Sequence, residues 1–130
     1  MIESERILIE KSDEKIFNFV SNFNNFIHLM PNEIKDLKVT EKECSFSING
    51  MPTIHLAICD KVPYSLVSMN SENDKLDFKL NCCLEKIDSN NCYVQFQFDA
   101  QLNAMMKMMV SKPLTQFLNV LVQKIKEIKL

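Results

Sequence analysis

From Ile34 to Ala100 the apolar residues of this 130-residue chain recur with a period near 2; after Asn103 an apolar stripe recurs with a period near 3.6 up to Ile128. A period near 2 puts alternate side chains on opposite faces of a strand, and a period near 3.6 gathers them on one side of a helix. One such switch predicts an antiparallel meander followed by a single long helix. Turn signals every eight to twelve residues divide the meander into strands at about 34–40, 43–49, 53–61, 65–70, 75–87 and 91–101. Asn49-Gly50 marks one hairpin, where the chain's sole glycine can supply a positive φ. Val62-Pro63, Asn70 to Asp74 and Asp88 to Asn91 mark later turns. Alternation places Cys44, Phe46, Ile48, Ile54, Leu56, Ile58, Val67, Met69, Leu76, Phe78, Leu80, Cys82, Leu84, Cys92, Val94, Phe96 and Phe98 on one face. The other face takes Ser45, His55, Lys79, Asn81, Tyr93, Gln95 and Gln97. The apolar stripe Met106, Met109, Val110, Leu114, Phe117, Leu118, Leu121, Val122, Ile125 and Ile128 is then expected to cover the apolar sheet face.

Ahead of the meander, Ile2 to Glu10 reads as a first strand, for seven in total. Ser12 is suited to cap a helix beginning at Asp13, with Asp13 and Glu14 in the first turn where the helix dipole favours negative charge. Asn24-Asn25 should interrupt that helix, and a second short one, Phe26 to Met30, should stop before Pro31. Pro113 lacks the amide that would reach the Met109 carbonyl, so a kink or a short break in the long helix is expected near Ser111-Lys112. Under that expectation Met105 to Val110, the hairpin at Met51 and His28 to Met30 would frame a movable gate.

A single domain over residues 1–130 is expected, because a chain of this length buries roughly two thirds of its unfolded surface in one core. No apolar run approaches the ~20 residues of a membrane span. Met1 to Glu10 lacks the pattern of a secretory signal, so the expected setting is soluble and cytoplasmic, without membrane insertion. The net charge is −2 with lysines and acids interspersed, which argues against nucleic acid as a partner. Five cysteines at 44, 59, 82, 83 and 92 show no zinc-knuckle spacing and read as free thiols. No metal and no cofactor is expected.

The segment Ile9-Glu10-Lys11-Ser12-Asp13-Glu14-Lys15-Ile16-Phe17-Asn18-Phe19-Val20, then Asn22-Phe23-Asn24-Asn25-Phe26 and Leu29-Met30-Pro31, leads into the meander and long helix. This order resembles, over the whole chain, the START-like or SRPBCC superfamily that includes birch pollen allergen and the polyketide cyclase/dehydrase group. Many members carry a tryptophan near that proline, and this chain has none. The resemblance implies an α+β helix-grip fold: a seven-stranded curved antiparallel sheet around a long C-terminal helix, with two short helices after strand 1. It also implies a cavity between sheet and helix that holds lipids, quinones or polyketides in many members. It transfers no catalytic residue.

In that cavity the expected lining is Phe26, Met30, Phe46, Ile48, Leu56, Met69, Phe78, Leu80, Phe96, Phe98, Met105, Met106, Met109 and Phe117, with His28 as a polar anchor. His55 falls outward by parity, and no HExxH, GxSxG, Walker or GxGxxG motif occurs. Acidic pairs such as Asp13-Glu14 serve as helix-start or turn residues. The leading expectation is therefore binding of a hydrophobic small molecule, with catalysis disfavoured. Two alternatives remain: a partner-binding or chaperone-associated module with a closed core, and a cyclase, dehydratase or hydrolase using His28, Tyr64 or Tyr93. Ligand identity and oligomeric state stay open.

Overall fold

A computed structural model describes residues 1–32, 34–48, 53–71 and 77–130. Its elements, in order, are β1 (Ile2–Glu3), β2 (Ile7–Ile9), α1 (Asp13–Val20), α2 (Phe23–Phe26), a 3-10 turn (Ile27–Leu29), β3 (Lys35–Val39), β4 (Glu43–Ser47), β5 (Ile54–Val62), β6 (Leu66–Ser71), β7 (Phe78–Asp88), β8 (Asn91–Ala100) and α3 (Ala104–Glu127). Strands β3 to β8 form an antiparallel meander in which each pairs with the next, and β1 and β2 both close on the far side of β8. The result is a curved α+β sheet gripping a long helix.

The expected first strand is divided in two at Ser4, and the reason is local chemistry. Ser4 N–H donates to the Phe96 carbonyl at 2.9 Å, but the Phe96 N–H donates to Ser4 Oγ instead of to a backbone carbonyl. Ser4 is one of two buried polar residues among those described. Its hydroxyl substitutes for a rung of the ladder, so the strand resumes in fresh register at Ile7 opposite Val94.

Ser12 caps α1 by accepting from Lys15 N–H. Asn24-Asn25 does not interrupt a helix. It lies inside α2, which Asn22 begins by accepting from the Asn24 amide, and the break falls at Ser21-Asn22. An Asn side chain that satisfies an orphan N–H starts a helix rather than ending one. Asn103 caps α3 in the same way, accepting from Met106 N–H at 2.8 Å.

The expected break at Pro113 is not present: α3 runs without interruption from Ala104 to Glu127 with Pro113 inside it. Proline removes one amide and leaves the Met109 carbonyl unserved, yet Leu114, Phe117, Leu118, Leu121, Val122 and Ile125 are buried beyond it. Burial along the stripe outweighs the single missing bond. Met51 lies outside the described residues, as do the Asn49-Gly50 turn and Leu76.

The sheet faces follow the alternation. Of the residues assigned inward and described, Ile48 and Ile58 are half-buried and the others are buried. Phe46 on β4 stacks with Phe117 on α3 at 5.6 Å between ring centroids, joining sheet to helix. Phe78 and Phe98 stack at 4.6 Å across β7 and β8, and Phe26 meets Phe96 edge-on at 6.3 Å. On the outer face, Ser68 Oγ donates to Asn81 Oδ1 at 2.7 Å, and Arg6 lies 3.9 Å over the Tyr93 ring while pairing with Glu85. Edge strand β3 is nearly all exposed and carries Lys35, Asp36 and Lys38. Its register shifts between Lys35 and Lys38, where Asp36 has φ 55°. Charge and a bulge both protect an open edge from unwanted pairing.

Candidate functional site

The inner sheet face is made of closely spaced rings and aliphatic chains. Phe26, Met30, Phe46, Leu56, Met69, Phe78, Leu80, Phe96, Phe98 and Phe117 are all buried in one cluster. Among the described residues, no buried side-chain nitrogen or oxygen lacks a hydrogen-bond partner. The interior that alternation identifies is therefore occupied by packed side chains where these residues meet.

Open space lies at the flank of the helix. A solvent-open cleft of about 650 Å³ is bounded by Pro31 and Ile34 after the 3-10 turn, Ile48 at the end of β4, and Pro113, Gln116, Phe117, Asn119 and Val120 along α3. Positions 113, 116, 117 and 120 share one helical face, because steps of three and four bring side chains together. Six of the lining residues are apolar; Gln116 and Asn119 provide amides. Pro31 fixes the backbone where the chain leaves the helical segment, leaving a gap between it and α3.

Two hydrogen bonds hold the walls in place. The Lys124 ammonium donates to the Met30 carbonyl at 2.7 Å, tying α3 to the segment just before Pro31. The Glu5 amide donates to Asn119 Oδ1 at 2.9 Å, tying the helix to the β1–β2 junction. The cleft is thus bordered by fixed elements, with Asn119 both a wall residue and a strut.

Of the expected lining residues, Ile48 and Phe117 border this cleft, and Met30 lies beside Pro31. Phe26, Phe46, Leu56, Met69, Phe78, Leu80, Phe96 and Phe98 are buried in the core and are not among its lining residues, although Phe46 stacks on the wall residue Phe117. Met105, Met106 and Met109 are exposed on the first turns of α3, and His28 is exposed on the 3-10 turn. Sequence reasoning missed Pro31, Ile34, Pro113, Gln116, Asn119 and Val120. The two prolines read as helix breakers and the two amides fall outside the apolar stripe, although the spacing 113, 116, 117, 120 is visible.

The cysteines are free thiols, with Cys44, Cys82 and Cys92 buried. Burial pushes the Cys44 thiol up to about 12 and the Cys92 thiol up to about 11, and raises Cys82 further still. Such thiols are held protonated and are poor nucleophiles.

No protein-family model and no curated protein matches the sequence. Solved structures do match it in shape. A norcoclaurine synthase from Thalictrum flavum superposes with a TM-score of 0.75 at 11% identity, covering 97% of this chain and 91% of that one. A START superfamily protein from Mycobacterium smegmatis gives 0.71 at 12% identity and 98% coverage of both chains. The chain has the START-like helix-grip fold. A second norcoclaurine synthase structure, in complex with dopamine and hydroxybenzaldehyde, matches at 0.71 and 11% identity over 99% of this chain and 87% of that one. At such identities the likeness concerns the START-like fold alone.

Proposed function

We propose that this START-like domain binds an apolar small molecule in the cleft between α3 and the Pro31–Ile34 segment. The observation that carries the reading is the cleft itself: about 650 Å³, with six apolar residues and two amides among its described lining. That volume suits a small-molecule site, and a few polar groups on an apolar wall orient a ligand while burial supplies affinity at about 25 cal/mol per Å². The ligand class is an elongated or ring-bearing apolar molecule with one hydrogen-bonding end for Gln116 or Asn119. The norcoclaurine synthase of similar fold, held with dopamine and hydroxybenzaldehyde, is a precedent for small aromatic ligands on this architecture.

Binding is favoured over catalysis because, among the described lining residues, none carries a titratable or nucleophilic side chain. A general acid or base must come within hydrogen-bond reach of its substrate. His28 is exposed and outside this lining, Tyr64 donates to Glu14 Oε1 at 3.4 Å on the surface, and Tyr93 lies under Arg6 on the outer sheet face.

Native mass spectrometry of gently purified protein tests the reading. The expected result is a complex heavier than the bare chain that releases an apolar molecule on denaturation, or that forms on adding a fluorescent apolar probe. A bare chain that also fails to take up the probe at saturating concentration would overturn it.

A further inference from the structure

The most exposed apolar side chains of the described structure are gathered in one place. Met105, Met108 and Met109 on α3 are 73%, 83% and 68% exposed, and Met106 is 38% exposed. Met105, Met108, Met109 and Lys112 are spaced i, i+3, i+4 and i+7, so they form one outward stripe, with Lys107 beside it. The chain carries a net charge of −2, yet between Ala104 and Lys126 it contains four lysines and no carboxylate. Of the strand-end acids on this side of the β7–β8 pair, Asp99 stands opposite Lys79 and Asp77 precedes Phe78, the partner of Ala100. An apolar stripe with a cationic border therefore projects from an otherwise acidic molecule.

We propose that the first turns of α3 are a peripheral docking surface for an anionic lipid bilayer, with the methionines entering the interface and Lys107 and Lys112 reaching the headgroups. Charge selects this occupant. A second copy meeting this stripe would bring together two faces with the same excess of lysines. Protein hot spots favour Trp, Tyr and Arg seated in pockets, and this stripe has none of the three. Unbranched thioethers adapt to disordered acyl chains, and lysine stems extend along an interface while keeping their charge in water. No helix among the described residues is long and apolar enough to cross a membrane, so α3 would lie on the surface. The stripe continues along the helix through Pro113 and Gln116 into the cleft wall. Even so, the docking proposal stands on the stripe and its charge, whether or not the cleft takes a ligand.

Co-sedimentation of the full chain with vesicles tests it, comparing pure phosphatidylcholine with phosphatidylcholine containing phosphatidylglycerol. The expected result is binding to the anionic vesicles that weakens as salt rises. The double variant Met105→Ser/Met109→Ser should lose binding on the order of tenfold, with an unchanged thermal midpoint because both side chains are exposed. Lys107→Glu/Lys112→Glu should remove the preference for anionic vesicles, and the cleft-filling Val120→Trp should still bind them. The proposal is overturned by absence of binding to anionic vesicles, by equal binding of the methionine variant, or by self-association that the same methionine variant abolishes.

Discussion

Cys44 and Cys92 show how a single side chain's surroundings become a measurable property of the protein. Both thiols have an ordinary value of 9.0 and are raised in the fold, to about 12 and about 11, chiefly by desolvation. Because the folded value lies above the unfolded one, the folded state holds more protons between them. The stabilising contribution is complete below about pH 9 and is lost as pH rises through about 11 to 12. Urea midpoints should therefore fall across that window, and less steeply in Cys44→Ala/Cys92→Ala than in the parent. At neutral pH a thiol reagent should modify exposed Cys59 first and reach Cys44, Cys82 and Cys92 only on unfolding. Modification of all five at one rate in the folded protein would contradict this burial pattern. The stacked pair Phe78 and Phe98 gives a second residue-scale prediction. With both rings buried, Phe98→Ala should cost about 3–5 kcal/mol by chemical denaturation. A clearly smaller loss would indicate a void beside the ring.

Among the elements, α3 departs furthest from its sequence reading. Pro113 interrupts the backbone ladder but not the helix, so the cost of the missing bond is retained in the folded state. Pro113→Ala should raise stability by about 2 kcal/mol, the helix-interior gain less the added freedom of the unfolded chain. A loss of stability would mean that the proline ring contributes more as a cleft wall than its absent amide costs. The strands were legible because burial on one face enforces a period of 2, and a one-residue slip would expose every inward side chain. The division at Ser4 was not, since it depends on a hydroxyl replacing a backbone acceptor 92 residues away in the chain. The start of α2 was missed for a similar reason: an Asn pair reads equally as a turn or as a capped first turn.

At the scale of the whole molecule, periodicity identified the buried cluster. Within it Phe46 stacks on Phe117, joining sheet to helix, and Phe26 meets Phe96 edge-on. The cleft forms where the flank of α3, the chain after Pro31 and the end of β4 stop short of one another. Such a gap is a property of three elements together, so the spacing 113, 116, 117, 120 puts these positions on one helical face without showing that the face borders open space. The central claim, that an apolar molecule occupies this cleft, is tested most directly by amide chemical shifts during titration with dodecanoate, comparing the parent with Val120→Trp. The account predicts saturable shifts at Ile34, Ile48, Gln116 and Val120, abolished in the variant. Shifts confined to Met105–Met109, or a response that Val120→Trp leaves intact, would contradict it.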